Sequence, residues 1–329
     1  QGMIVVAPNY LGYDKSSLTY HPYLNAQVQA TDMIDGLRAA KNYLAGSTSP
    51  IKPTDQLLIT GYSQGGHVAM ATHQLIEASY SSEFKVTASG PMSGPYNLAK
   101  FTTVINASPM NPNPTGLTPC PSTNVNCWVD AGGTLFTPLL LTSYQKAYGN
   151  VYTSPSQAYQ SPYDKTAETL FPTDTPISTL VQQGELPADP TFTKLFGTGG
   201  LINEAFRASF FTDPTNGFKA DVVKNTLLGW NPHRPMMLCG GAQDPTVYYF
   251  NTTDAQADFA SRGVSVPAVD MENAATVPGG ATGPLYLGFQ AQKAAAGANV
   301  LAVYHGELVP PFCTAIVRGF FQQVLASGI

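Results

Sequence analysis

The run Gly61-Tyr62-Ser63-Gln64-Gly65-Gly66 matches the pattern G-x-S-x-G, in which a serine at a sharp strand-to-helix turn acts as a nucleophile. Such a turn lifts the hydroxyl clear of the sheet and favours glycine where neighbouring elements crowd it. In a chain with 30 glycines the bare pattern is weak. Its setting gives it weight, because the apolar run Leu57-Leu58-Ile59-Thr60 precedes it and a helical pattern from His67 to Ala78 follows. A helix starting there aims free N–H groups at the serine, so the Gln64 N–H is a candidate donor to a developing oxyanion. A serine hydroxyl alone is a poor nucleophile. It needs a histidine to accept its proton and an acid to orient that histidine.

In a parallel sheet the reacting groups gather at the carboxyl ends of the strands, and this motif uses the chain order Ser, acid, His. Of the five histidines, His21, His67 and His73 precede any candidate acid. His233 lies before the apolar run Met236–Cys239, at its amino end. His305 directly follows the run Asn299–Tyr304, read as the last strand, and is the expected base. Asp244, just past Met236–Gly241, is the expected acid, with Asp270 as the alternative. His67 and His73 read as packing groups on the helix behind Ser63. No His, Cys, Asp or Glu residues have zinc-like spacing in a plausible context, so neither metal nor cofactor is expected.

These groups are far apart in sequence and need a scaffold to bring them together. Met3–Pro8 reads as a buried strand, the loop Asn9–Asp14 follows, and a helix runs from an Asn25 cap to Gly46. Leu57–Thr60, the helix from His67 and the run Val86–Ser89 continue a βαβαβ alternation, which implies a parallel sheet with helices on both faces. Near residue 100 the alternation stops. The proline-rich stretch Ser108–Pro121 excludes regular structure, and helical patterns at Thr134–Ala147, Asn203–Phe211 and Thr215–Leu228 have no strands between them. The expected organisation is an α/β core over 1–99 and 234–329, interrupted by a mostly helical cap over 100–233. The core resumes with strand Met236–Cys239, a helix at Thr253–Ser261, the strand before His305 and a closing helix at Ala315–Ala326.

Composition narrows the partners. Only 11% of the 329 residues are charged, 16 basic against 21 acidic. With no basic run and a net charge of −5, neither nucleic acid nor an anionic membrane is an expected partner. No 18-residue apolar run suggests a bilayer span. The four cysteines lack Cys-x-x-Cys spacing and read as disulfides formed in an oxidising compartment, secreted or periplasmic. The opening at Gln1, without initiator Met or apolar signal core, reads as an export signal already removed. Four cysteines allow three connectivities. If the strands carrying acid and base are neighbours, Cys239–Cys313 ties the two loops together, leaving Cys120–Cys127 as the second pair.

The segments Val5-Val6-Ala7-Pro8-Asn9-Tyr10-Leu11-Gly12, Asp35-Gly36-Leu37-Arg38-Ala39 and Gly61-Tyr62-Ser63-Gln64-Gly65-Gly66 together resemble the secretory lipases, the fungal lipase A group and its bacterial relatives. The resemblance covers about 3–95 and 236–320. It implies an α/β-hydrolase in which Ser63, Asp244 and His305 match the triad positions, Asn9 matches an oxyanion-loop position and the insertion matches a lid over the acyl pocket. Members of that family carry further strands before the Val-Val-Ala-Pro segment, so amino-terminal strands are expected to be missing or rearranged. The implied activity is that of an exported serine esterase or lipase working through an acyl-enzyme on Ser63. A cap over the site favours a small or medium ester, with polyester and feruloyl-type esters also within the class. A serine peptidase on the same scaffold and a non-catalytic binding module are the alternatives, and the sequence does not specify an oligomeric state.

Overall fold

A computed structural model describes residues 2–46, 48, 51–107, 131–189 and 192–328. The proline-rich stretch from Ser108 and the proposed Cys120–Cys127 pair lie outside the described residues. In chain order the main elements are α1 (Ala26–Gly46), β1 (Leu57–Tyr62), α2 (Gln64–Leu75), β2 (Val86–Met92), α3 (Leu98–Ala107), α4 (Gly133–Tyr148), α5 (Pro155–Ala158), α6 (Ile177–Gln182), α7 (Glu204–Thr212), α8 (Gly217–Lys224), β3 (Leu238–Gly240), α9 (Phe250–Ser261), β4 (Ala268–Asp270), α10 (Pro284–Ala296), α11 (Val300–Val303) and α12 (Val309–Ser327).

The four strands form one parallel sheet in the order β1-β2-β3-β4. β2 is almost wholly buried, as a strand covered on both faces must be. On one face α1 and α2 pack Ala30, Ile34, Ala69 and Met70 against Ile59, Val86 and Leu238. On the other, α12 lays Phe312, Ile316, Val317 and Phe321 over Ala88, Met92 and Cys239. The approach of α12 depends on Gly90, where a Cβ would lie 2.2 Å from the Val317 Cγ1. The Cys239–Cys313 disulfide joins β3 to α12. Its sequence separation of 74 residues corresponds to ~4 kcal/mol of stabilisation in the chain-entropy model. Asn25 caps α1 as expected, its Oδ1 accepting the Val28 N–H at 3.2 Å.

Between β2 and β3 the described residues contribute helices and turns. Leu98, Phe101, Leu140, Leu141, Tyr144, Phe206, Phe210 and Phe218 form a second apolar cluster, joined by Tyr23, Leu24, Tyr248 and Phe250 from outside that stretch.

Two expected strands do not form. Met3–Pro8 is irregular, with Met3, Ile4 and Val5 exposed. Pro8 packs on α1 instead, where a Cβ on Gly36 would meet its ring at 2.6 Å. The last expected strand, Asn299–Tyr304, is helical, passing through α11 into a π-helical turn at Tyr304–Leu308. Val300, Tyr304 and Leu308 recur every four residues and face the α12 core, a helical period that a short apolar run conceals. Conversely, β4 and α10 form between Ser261 and Asn299, where no element is expected from the sequence.

From Pro284 to Ser327 the helices follow closely and contain an 18-residue stretch of mean hydropathy 1.4, enough by length and composition to cross a membrane. This qualifies the expectation that no segment would suffice. Of that stretch 39% is buried inside the fold, and the apolar residues of α12 that pack on the sheet belong to the same helical run.

Candidate active site

Ser63 stands between β1 and α2 with φ 59° and ψ −121°. A non-glycine residue in this conformation costs on the order of 1–3 kcal/mol and persists only where its surroundings hold it. Here the Ser63 N–H donates to the Met92 carbonyl at 2.9 Å, and the Ser63 carbonyl accepts from Gly66 and His67 at 2.9 and 3.2 Å. Crowding falls unevenly on the motif's glycines. A Cβ on Gly61 would lie 2.2 Å from the Gly65 carbonyl, and one on Gly66 would lie 2.3 Å from the Met92 carbonyl. Gly65 has room, its nearest neighbour being the Tyr10 hydroxyl at 3.7 Å. Gln64 opens α2, so its N–H is among the first-turn donors without an intrahelical acceptor.

Ser63 Oγ lies 2.7 Å from His305 Nε2, and His305 Nδ1 lies 2.7 Å from Asp244 Oδ2. A carboxylate oxygen accepts, so Nδ1 carries the proton and Nε2 presents its lone pair to the serine hydroxyl. Asp244 is buried, and its second oxygen accepts the N–H groups of Thr246 and Val247 at 2.9 and 3.0 Å. Those bonds hold the carboxylate facing the ring. Asp270, the alternative acid, is engaged elsewhere. Its Oδ1 accepts from the Ala242 and Glu272 N–H groups at 2.8 and 2.9 Å, and burial pushes its carboxyl above the ordinary range.

His305 rides on the π-helical turn rather than on a strand end, an arrangement common near functional sites. Its neighbour Tyr304 is buried and donates to Glu272 Oε1 at 2.6 Å, while Lys293 holds both oxygens of that carboxylate at 2.7 and 2.6 Å. The Gln243 N–H reaches the Tyr304 hydroxyl at 3.4 Å, tying the base-bearing turn to the Asp244 loop. The Tyr62 ring lies 5.1 Å from the His305 ring. Burial first, then Asp244, raises the Tyr62 hydroxyl far above its ordinary pKa, so it stays protonated.

Ser63 also lines a small apolar cleft, with Tyr23, Leu98, Phe101, Ile105, Phe136 and Leu140 among its walls. Among the described residues its lining contains no charged side chain. Asn9 is exposed and its amide donates to Asp14 at 3.4 Å. Sequence reasoning passed over His21, which is buried and whose Nε2 meets the Gln64 amide at 2.5 Å. The aromatic spacing around it, with Tyr10, Tyr13 and Tyr23 packed on the ring, was the available signal. Among the described residues no His, Cys, Asp or Glu cluster could hold a metal ion.

Comparison with protein-family models and with curated protein sequences returns no match. Among solved structures, the rice cell wall degrading esterase LipA from Xanthomonas oryzae superimposes with a TM-score of 0.66 at 31% identity, over 89% of this chain and 68% of that one. Its ligand-bound form gives a TM-score of 0.67 at the same identity and coverage. A Legionella pneumophila protein described as a hydrolase shares the fold, with a TM-score of 0.62 at 21% identity over 80% of this chain and 62% of that one. With a parallel sheet, a nucleophile-type turn and this kinship to LipA, the chain belongs to the α/β-hydrolase lipase/esterase family.

Proposed function

We propose that this chain is an exported serine esterase, cleaving small or medium carboxylic esters through an acyl-enzyme on Ser63. One observation carries the reading: an unbroken hydrogen-bonded chain from Ser63 through His305 to Asp244, beginning at the wall of an apolar cleft. Ser63 Oγ attacks the ester carbonyl as its proton passes to His305 Nε2, and Asp244 stabilises the resulting imidazolium. The Gln64 N–H and a donor from the loop around Asn9 bind the oxyanion. His305 returns the proton to the leaving alcohol. A water then repeats the sequence on the acyl-enzyme and frees the acid. The stretch 100–233 serves as the cap, since Phe101, Ile105, Phe136 and Leu140 from its described helices wall the cleft that would receive the acyl chain.

The described part of the lining is uncharged, which favours an ester over a peptide, because a peptidase selecting a terminal amine or carboxylate needs a charged anchor beneath its cap. The Cys239–Cys313 disulfide favours an oxidising compartment. LipA is described as degrading plant cell wall, which keeps polymer-borne esters, feruloyl or polyester, within the substrate class. The test is fluorophosphonate labelling followed by turnover of p-nitrophenyl esters and amino-acid anilides. We expect label on Ser63 and hydrolysis of esters alone. Anilide turnover would make it a peptidase, and folded protein that takes no label would make it a binding module.

A further inference from the structure

Ser63, His305 and Asp244 leave one buried titratable group beside the elbow without a task. His21 is only 2% exposed, and its two ring nitrogens face two different parts of the site. Nδ1 lies 2.8 Å from the Leu11 carbonyl, and Nε2 lies 2.5 Å from Gln64 Nε2 and 3.5 Å from Gln29 Nε2. A carbonyl can only accept, so Nδ1 carries the hydrogen. Burial pulls the His21 pKa below its ordinary value, so the ring is neutral and Nε2 is a bare acceptor, which the Gln64 amide N–H fills. Leu11 is also engaged through its other peptide unit, whose N–H is directed at the Asp32 carboxylate on α1. Gly12, at φ 94°, could not carry a Cβ, which would meet the Tyr20 carbonyl oxygen at 2.3 Å. The loop from Tyr10 to Tyr13 is thereby wrapped around His21 and clamped through it to the first residue of α2.

We propose that His21 is a positioning residue that sets the distance between the two halves of the oxyanion hole. One half is the Gln64 N–H at the head of α2. The other is the loop around Asn9, whose Leu11 peptide His21 grips. The inference rests on the esterase reading above, and it adds a role that neither the motif nor the triad contains. Two-donor holes work by preorganisation, so a few tenths of an ångström between donors affects the transition state far more than the bound substrate.

The two arms of the bridge can be cut separately. Asn at position 21 can place an amide where Nδ1 donates but has nothing where Nε2 accepts. Gln64→Leu removes the amide while leaving the Gln64 N–H in place. For p-nitrophenyl butyrate we expect each of His21→Asn and Gln64→Leu to lower kcat about 10- to 100-fold with KM within about threefold. A boronic acid transition-state analogue should lose affinity by the same factor. The double variant should be no slower than the slower single, since both cut one bridge. If His21→Asn does not fold, Gln64→Leu decides alone, through kcat and boronate affinity at unchanged melting temperature. Wild-type kcat in Gln64→Leu, or fully multiplicative losses in the double variant, overturns the proposal. Ser63→Ala separates the two levels: turnover surviving in that variant refutes the esterase mechanism itself, whereas its abolition alongside normal rates in the bridge variants refutes only the role of His21.

Discussion

Two of the chains of serine, histidine and carboxylate among the described residues invite comparison, and only one of these two has the surroundings of a catalyst. Ser63, His305 and Asp244 are linked by contacts of 2.7 and 2.7 Å. Ser89, His73 and Glu77 are linked by contacts of 2.7 and 2.9 Å. The second chain uses the ring in the opposite sense, with Nδ1 to the serine and Nε2 to the acid. Ser89 lies inside β2, and both it and His73 are fully buried, whereas Ser63 and His305 are partly exposed. No helix begins at Ser89, and its backbone N–H and carbonyl are spent on Pro235 and Met237. Hydrogen-bonded residue types therefore do not define a site. What separates the two is a strained turn, helix N–H groups free to receive charge, and a cleft wall. The buried chain instead secures β2 to α2 and to the segment before β3, since Glu77 also accepts the His233 N–H.

Single hydroxyl deletions give the widest separation. Ser63→Ala should lower ester turnover by roughly 10⁴- to 10⁶-fold, and Asp244→Asn by roughly 10³- to 10⁴-fold through the wrong histidine tautomer. Ser89→Ala should leave kcat within about twofold and cost ~1–2 kcal/mol of stability, because His73 Nδ1 loses its partner. Steady-state kinetics beside urea unfolding measure both. A rate loss in Ser89→Ala without a stability loss would join the two chains and end the distinction.

The buried chain should show itself in acid stability. Burial pushes Glu77 up, but hydrogen bonds from His73 and His233 outweigh it and bring its pKa to about 2 from 4.5. A carboxyl with a depressed folded pKa contributes stability that is fully present above about 4.5 and is lost as pH falls towards about 2. The size is roughly 3 kcal/mol. His67, fully buried and lowered to about 4 from 6.5, acts in a higher window, its neutral form favouring the fold above 6.5 and the benefit fading as pH falls towards 4. Glu77→Gln should thus flatten the decline in melting temperature between pH 4.5 and 2 while leaving the slope between 6.5 and 4.5. Calorimetry across pH 2–8 reads both windows, and an unchanged acid limb would deny Glu77 this role.

Legibility in the sequence followed the range of the interactions. Ser63 and the elbow are local, written into six consecutive residues and the elements flanking them, and the strands β1 and β2 with α1 and α2 were recoverable from periodicity. Asp244 and His305 were reached by topology, and the structure sets both beside Ser63 although the expected strand before His305 is a helix. Chain order and the closeness of the last core segment lead to His305 even without the strand that was expected before it. Met3–Pro8 misled because an apolar run does not say whether it will pair with a strand or, as Pro8 does, lie on a helix. The links of His21 to Gln64 and of Tyr304 to Glu272 span 43 and 32 residues. No local pattern announces such contacts, since they exist only once separate loops have been packed together.

Asp270 gives the finest version of the comparison, because it is an acid of the right type at the carboxyl end of β4 that does not hold the base. Its Oδ1 receives two backbone N–H groups, and an asparagine oxygen can accept both. Burial raises the Asp270 pKa. Its neutral form is therefore the one the fold prefers, and the stability it contributes lies below the unfolded value near 3.8 and declines as pH rises through the folded value. Asn at this position keeps the bonds and removes the buried charge. Asp270→Asn should accordingly change kcat by less than about threefold and leave stability at pH 7 equal or slightly higher, within ~1 kcal/mol. Parallel kinetics on Asp244→Asn provide the contrast. A loss of a thousandfold or more at position 270 with normal rates at position 244 would exchange the two acids and require His305 to turn away from the partner it faces here.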